Sequence, residues 1–126
     1  MPVPDEGQTD TFTRTFTRED VRQFTDVSDD RGEHHLEPND DGRLLVHGLL
    51  TATLPTKVGG TYDVLAQRME YEFPRPVYTD EEITCEITFE TVEKRDSRYH
   101  VEAEGVCRNE AGKVVLRTEF DGVILQ

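Results

Sequence analysis

The stretch Gly42-Arg43-Leu44-Leu45-Val46-His47-Gly48-Leu49-Leu50-Thr51-Ala52-Thr53-Leu54-Pro55-Thr56-Lys57-Val58-Gly59-Gly60-Thr61-Tyr62 contains no Asp or Glu. The chain holds 27 acids in 126 residues, so about 4.5 would be expected in a piece of this length. A segment free of acids in so acidic a chain is one that the fold surrounds. Leu50, Leu54 and Val58 recur at i, i+4 and i+8, and Gly59-Gly60 offers a C-terminal stop. The spacing predicts a buried helix from about His47 to Val58. Pro55 lacks a backbone N–H and is expected to kink it or end it early.

Around that helix the pattern changes from period 3.6 to period two. Asp10–Thr17 is rich in β-formers and sets Phe12 and Phe16 on one face, which predicts a short strand. Thr17 with Asp20 fits a helix entry, and Val21 with Phe24 gives a narrow apolar stripe over two to three turns. That helix must stop near Ser28–Gly32, and an irregular segment is expected to continue through Pro38 to Gly42. Alternation then marks strands over 62–73, 82–93, 98–108 and 113–125. In the first of these Leu65, Met69, Tyr71 and Phe73 share a face, and in the second Ile83, Cys85, Ile87 and Phe89 do. Residues 94–97 and 109–112 are hairpin-sized connections. The expected architecture is α+β: an antiparallel sheet, wet and acidic on one face, with the buried helix covering the dry one. Residues 1–9 carry Pro2, Pro4 and Gly7 without periodicity and are expected to be a flexible lead-in to a single domain over 10–126.

The formal charge is −13, which excludes a nucleic-acid binder that works by neutralising phosphates. No window approaches the roughly 18 apolar residues of a membrane span, so no membrane partner is expected. The first ten residues show neither the basic nor the apolar region of a secretory signal, and a cytoplasmic protein is expected. Only Lys57, Lys94 and Lys113 among the fourteen basic residues are lysines, and acids crowd nearly every turn. Such a surface suits molar salt, where the Debye length falls to about 3 Å; an ordinary acidic mesophile protein is the alternative. Cys85 and Cys107 fall on apolar strand positions without any metal-ligand spacing, which predicts buried reduced thiols. A disulfide between them would need a geometry that spacing alone does not supply.

Asp30, His34 and His35 share the irregular segment. An Asp and a His held on one loop beside an apolar cavity can orient a water and exchange protons with it. A metal is not expected, because adjacent histidines diverge and no Cys or third His stands at ligand spacing. Either side chain could equally serve as a turn cap or a solvated group. His47, at the start of the buried helix, reads as a packing or hydrogen-bonding residue. His100 lies on the polar face of its strand, and Tyr62, Tyr71 and Tyr99 read as core or rim aromatics.

Three pieces, taken in order, resemble the MaoC-type hydratase family, which has the hot-dog fold. They are Phe16–Phe24 leading to Ser28-Asp29-Asp30, then His35-Leu36-Glu37-Pro38, then Leu45-Val46-His47-Gly48-Leu49-Leu50. Phe73-Pro74-Arg75-Pro76-Val77-Tyr78 resembles the family's Phe-x-x-Pro-Val element. The similarity spans about residues 12–125. It implies an antiparallel sheet wrapped around a central helix and the reversible addition of water to a trans-2-enoyl thioester, giving the (R)-3-hydroxyacyl product without a cofactor. By the same resemblance Asp30 and His35 are the catalytic dyad, and the Gly48 N–H faces the thioester oxygen. Thr53 stands where small hydroxyl residues occur, and Leu49 and Arg75 contact substrate. Gly32 and Glu33 replace the family's Asn-Pro, so that loop loses an ordering amide and a stiffening ring.

The implied partner is an acyl-CoA, and Arg43, Arg68, Arg75 and Arg98 are the candidates to meet its phosphates, with ion pairing the role of most. At least a homodimer is expected, with sheets joined edge to edge. A thioesterase on the same fold would place an acid on the central helix, against which the acid-free stretch stands. A binder of acyl thioesters that has lost the chemistry is the third reading.

Overall fold

The computed structural model describes residues 2–126; Met1, the first residue of the expected lead-in, lies outside them. The elements are β1 (Thr9–Thr15), α1 (Arg18–Ser28), α2 (Glu33–Leu36), α3 (Gly48–Thr51), α4 (Thr53–Thr61), β2 (Leu65–Glu72), β3 (Glu82–Arg95), β4 (Arg98–Arg108) and β5 (Val114–Leu125). The five strands form one antiparallel sheet in the order β1-β3-β4-β5-β2. No helix is long and apolar enough to cross a membrane among the described residues.

Alternation places the core. Ile83, Cys85, Ile87 and Phe89 on β3 and Val101, Ala103 and Cys107 on β4 are buried. Leu50 and Leu54 pack with Ile83, Cys85, Cys107 and Leu116, and Val58 packs with Phe89, Val101, Phe120 and Ile124. The central helical segment thus lies along the dry face, as the hot-dog arrangement requires. Thr17 enters α1 through a capping box: its side chain accepts the Asp20 N–H, and the Asp20 carboxylate accepts the Thr17 N–H.

Several expectations are corrected. The buried helix is two helices, α3 and α4, that meet at Ala52. Pro55 offers no N–H to the Thr51 carbonyl four residues back and its ring crowds that carbonyl, so α4 starts afresh with Pro55 inside its first turn. Gly59-Gly60 does not stop it. The helix runs to Thr61, Asp63 takes a left-handed turn (φ 55°), and the Val64 N–H returns to the Gly59 carbonyl. Residues 33–36, expected to be irregular, form the single turn α2.

On β2 the apolar face is largely bare: Leu65 is 56% exposed, Met69 40% and, just beyond the strand, Phe73 45%. This strand is a sheet edge, and a register shift between Ala66 and Arg68 breaks its alternation. The cysteines are not reduced thiols, for Cys85 and Cys107 are direct register partners and are joined as a disulfide. In the lead-in Pro4 is buried, the Gly7 N–H donates to the Phe89 carbonyl, and Glu6 accepts the Val92 N–H.

Candidate active site

Helix α1 ends at Ser28 because Asp29 turns left-handed (φ 59°) and its N–H closes on the Thr25 carbonyl. Two side chains then hold the loop. Ser28 Oγ accepts the Asp30 N–H at 3.0 Å, and Asp30 Oδ1 accepts the Gly32 N–H at 3.2 Å. Asp30 itself thus helps to order the loop through its own carboxylate. A side chain at Gly32 would reach within 3.2–3.3 Å of the His34 and His35 rings, so glycine leaves room for both.

One turn later α2 presents His35, which is 6% exposed. Its ring lies against Leu45, whose carbonyl accepts the Nδ1–H at 2.7 Å. A carbonyl only accepts, so the proton of neutral His35 is on Nδ1 and Nε2 keeps its lone pair. That nitrogen stands 3.7 Å from Asp30 Oδ2. The carboxylate is 56% exposed, so the pair faces solvent on one side and protein on the other. Two acceptors at this separation make no bond to each other. A water can donate one hydrogen to each of them, leaving its own lone pairs directed away from both.

Beneath His35 lies His47, 2% exposed, with its ring stacked at 3.7 Å between centroids and 16° between planes. Its Nε2 is 3.0 Å from the Asp30 carbonyl and 3.2 Å from Thr25 Oγ1, and its Nδ1 is buried without a partner. Burial lowers the His47 pKa from its ordinary value, with further lowering by His35 and His34; the Asp30 carbonyl and carboxylate act in the other direction. Donor atoms of Asp30, His35 and His47 lie within 4.8 Å of one another. The two imidazole planes are nearly parallel, however, and share no point at which an ion could lie in both.

His47 is the N-cap residue of α3, so Gly48 opens that helix with an amide that has no acceptor inside it. Gly48 follows in the chain the very histidine on which the His35 ring stacks. Gly48 also lines a cavity of about 270 Å³ with Val46, Thr51, Phe73 and Arg75. Of the other expected site residues, Leu49 is 66% exposed on α3. Thr53 lies on α4, its hydroxyl donating to the Leu50 carbonyl at 2.6 Å. Arg75 reaches the cavity, but its Nη1 donates to the Val114 carbonyl at 3.0 Å. The structure thus brings Asp30 to His35 and sets Gly48 and Arg75 in one cavity wall, while the Thr53 hydroxyl is turned to the backbone.

Sequence reasoning missed Thr51 and Phe73 as wall residues. The spacing of Thr51 from Gly48, i+3, is the signal that could have found it. A second cavity of about 380 Å³, lined by His34, Arg43, Leu45 and Tyr78, lies across the Leu45–Tyr78 bridge.

No protein-family model and no curated protein matches the chain. Solved structures do. An (R)-hydratase from A. caviae involved in PHA biosynthesis superposes with a TM-score of 0.82 at 22% identity, over 98% of this chain and 98% of that one. The R-hydratase PhaJ1 from Pseudomonas aeruginosa gives 0.78 at 21%, over 97% of this chain and 82% of the other. The MaoC-like dehydratase from Rhodospirillum rubrum gives 0.77 at 19%, over 98% and 94%. With the strand order and central helix described above, these likenesses establish that the chain has the MaoC-like hot-dog fold, an α+β architecture it shares with (R)-hydratases and MaoC-like dehydratases.

Proposed function

We propose that this chain is a hydratase/dehydratase that adds water reversibly to a trans-2-enoyl-CoA thioester, giving the (R)-3-hydroxyacyl-CoA. The observation that carries the reading is the 3.7 Å approach of Asp30 Oδ2 to the lone-pair nitrogen of His35. Asp30 and His35 hold a water between them, and its oxygen attacks C3. The C2=C3 electron pair moves toward C2 and the thioester oxygen, where the Gly48 N–H meets the developing charge. His35 Nε2 takes the proton released by the water, and the dyad returns a proton to C2, so water is consumed whole and neither residue is changed. The nearby cavity, walled by Val46, Thr51 and Phe73, suits an apolar acyl portion. Arg75 lines it, Leu49 is exposed on α3, and Arg43 lines the neighbouring cavity with Leu45 and Tyr78. Thr53 acts by tying α4 to α3 rather than by touching the thioester.

The active unit in this reading is at least a homodimer. Leu49, Leu65, Met69 and Phe73 leave apolar surface exposed near an open sheet edge, which a second copy would cover.

Crotonyl-CoA hydration, followed at the enoyl absorbance, tests the proposal. Asp30→Asn and His35→Ala are expected to lower kcat by about 10²–10⁴-fold. Undiminished turnover in both variants removes the dyad. Thiol release without hydration assigns a thioesterase instead, and saturable binding with neither reaction assigns a non-catalytic carrier.

A further inference from the structure

The side chain of His47 touches both halves of the dyad. It does so through different atoms: Nε2 meets the Asp30 backbone carbonyl at 3.0 Å, and the ring face lies 3.7 Å from that of His35. We propose that His47 is a positioning residue for the dehydratase site, setting the Asp30–His35 separation by bonding the acid's backbone and supporting the base's ring. The inference rests on the function proposed above and extends it to a residue that does not meet substrate.

The argument follows from which contacts are fixed. Leu45 O holds His35 within its ring plane but leaves the ring free to tilt about that bond. The His47 face, with the His34 edge at 4.2 Å, closes the tilt. Asp30 follows the tight Asp29 turn, and its side chain is mostly exposed. What anchors it from the protein interior is the bond from its carbonyl to His47, which Thr25 Oγ1 joins at 3.2 Å. The carbonyl accepts, so His47 Nε2 carries hydrogen and the buried Nδ1 is a bare lone pair. A neutral His47 also places no positive charge against a ring that must itself become a cation during turnover. The charged or titratable groups facing it are Asp30, His34 and His35, while Thr25 and Phe24 complete its surroundings without charge.

Two variants separate the contacts. His47→Phe keeps a flat ring under His35 and removes the donor, whereas His47→Gln keeps an N–H able to reach Asp30 O and removes the stack. In His47→Phe, kcat on crotonyl-CoA is expected to fall about 10²-fold with KM held within about two-fold, and His47→Gln is expected to recover part of the loss. The His35 Nε2 ¹⁵N shift, read by long-range ¹H–¹⁵N correlation, is expected to move in both variants as the Asp30–His35 separation changes, while the Nδ1–H stays bonded to the Leu45 carbonyl. A structural role alone would lower Tm and leave the kcat-to-KM split and that shift unaltered in folded protein, and that result overturns the proposal. If the wild type shows no hydratase turnover, the NMR arm still decides positioning while the function fails separately. Should neither variant fold, the wild-type spectrum decides: His47 protonated on Nδ1 instead of Nε2 overturns the inference.

Discussion

Gly122→Ala and Gly60→Ala exchange the same atoms at two glycines with opposite surroundings, and opposite outcomes are expected. Gly122 lies on β5 opposite Ala66 of β2, where a Cβ would stand 2.3 Å from the Leu65 carbonyl oxygen and 2.9 Å from the Ala66 Cα. These atoms are backbone and cannot swing aside. Normal contact begins near 3.5 Å, so β2 must withdraw by about 1 Å, which breaks ladder bonds next to its register shift. Overpacking of this kind costs about 1–3 kcal/mol and each lost bond about 1 kcal/mol. A net loss near 3 kcal/mol corresponds to a fall in Tm of about 12 °C for a chain of this size.

At Gly60, inside α4, a Cβ meets nothing within 4 Å, and the backbone is not left-handed. Alanine there gains helix propensity worth about 0.5–1 kcal/mol, a rise of about 2–4 °C. Calorimetry at one salt and protein concentration measures both, and sedimentation reports whether displacing β2 also dissociates the proposed dimer. A Gly122→Ala melt within about 2 °C of wild type would refute the close approach of Leu65 to β5.

Three further outcomes are expected. On the wet face Glu70, Glu119 and Glu104 are successive register partners, with Glu90 hydrogen-bonded to Glu104, so raising salt from 0.1 to 1 M should raise Tm and Glu119→Gln should blunt that rise; a flat salt series would remove the electrostatic account. His47 has its pKa lowered by burial, so the unfolded chain binds its proton more tightly, and the contribution held above pH 6.5 should be lost as pH falls; denaturant titrations should show a shallower slope below pH 6.5 in His47→Gln. The Glu90 pKa is raised, first by its bond to Glu104 and then by charge repulsion, which acts oppositely by losing stability as pH climbs past 4.5. The Cys85–Cys107 bridge closes a loop of 22 residues in sequence separation, worth about 3 kcal/mol in unfolded-chain entropy; reduction under denaturing conditions should lower Tm accordingly, and thiols titratable in the native protein would contradict the bridge.

How much of this was legible depends on where the deciding contact lies. Ile83, Cys85, Ile87 and Phe89 could be assigned inward because an internal strand with one buried face must alternate. On β2 the same pattern was read as a dry face, yet Leu65, Met69 and Phe73 stay exposed on an edge strand. The helix break was anticipated at Pro55, but a proline acts on the carbonyl four residues earlier, so the chain divides at Ala52. The cysteines were misjudged for a subtler reason. Continuing the hairpin register from Arg95–Arg98 sets Cys85 opposite Arg108, and only the irregularity between Phe89 and Thr91 brings it opposite Cys107. In the site, Asp30, His35 and Gly48 were marked by resemblance to a family motif. The His35–His47 stack joins segments that only the fold makes adjacent, and residue spacing carries no trace of it.

The break at Ala52 makes the central segment a jointed pair of helices. Thr53–Thr61 carries Leu54 and Val58 into the interior, while Gly48–Thr51 is a short turn that begins directly after His47. The Thr53 hydroxyl spans that joint to the Leu50 carbonyl, and Leu50 and Leu54 share one core cluster. A substitution at Thr53 or Leu54 is therefore felt in the short turn that presents the Gly48 amide, and the two halves of the central segment are tuned together across a single alanine.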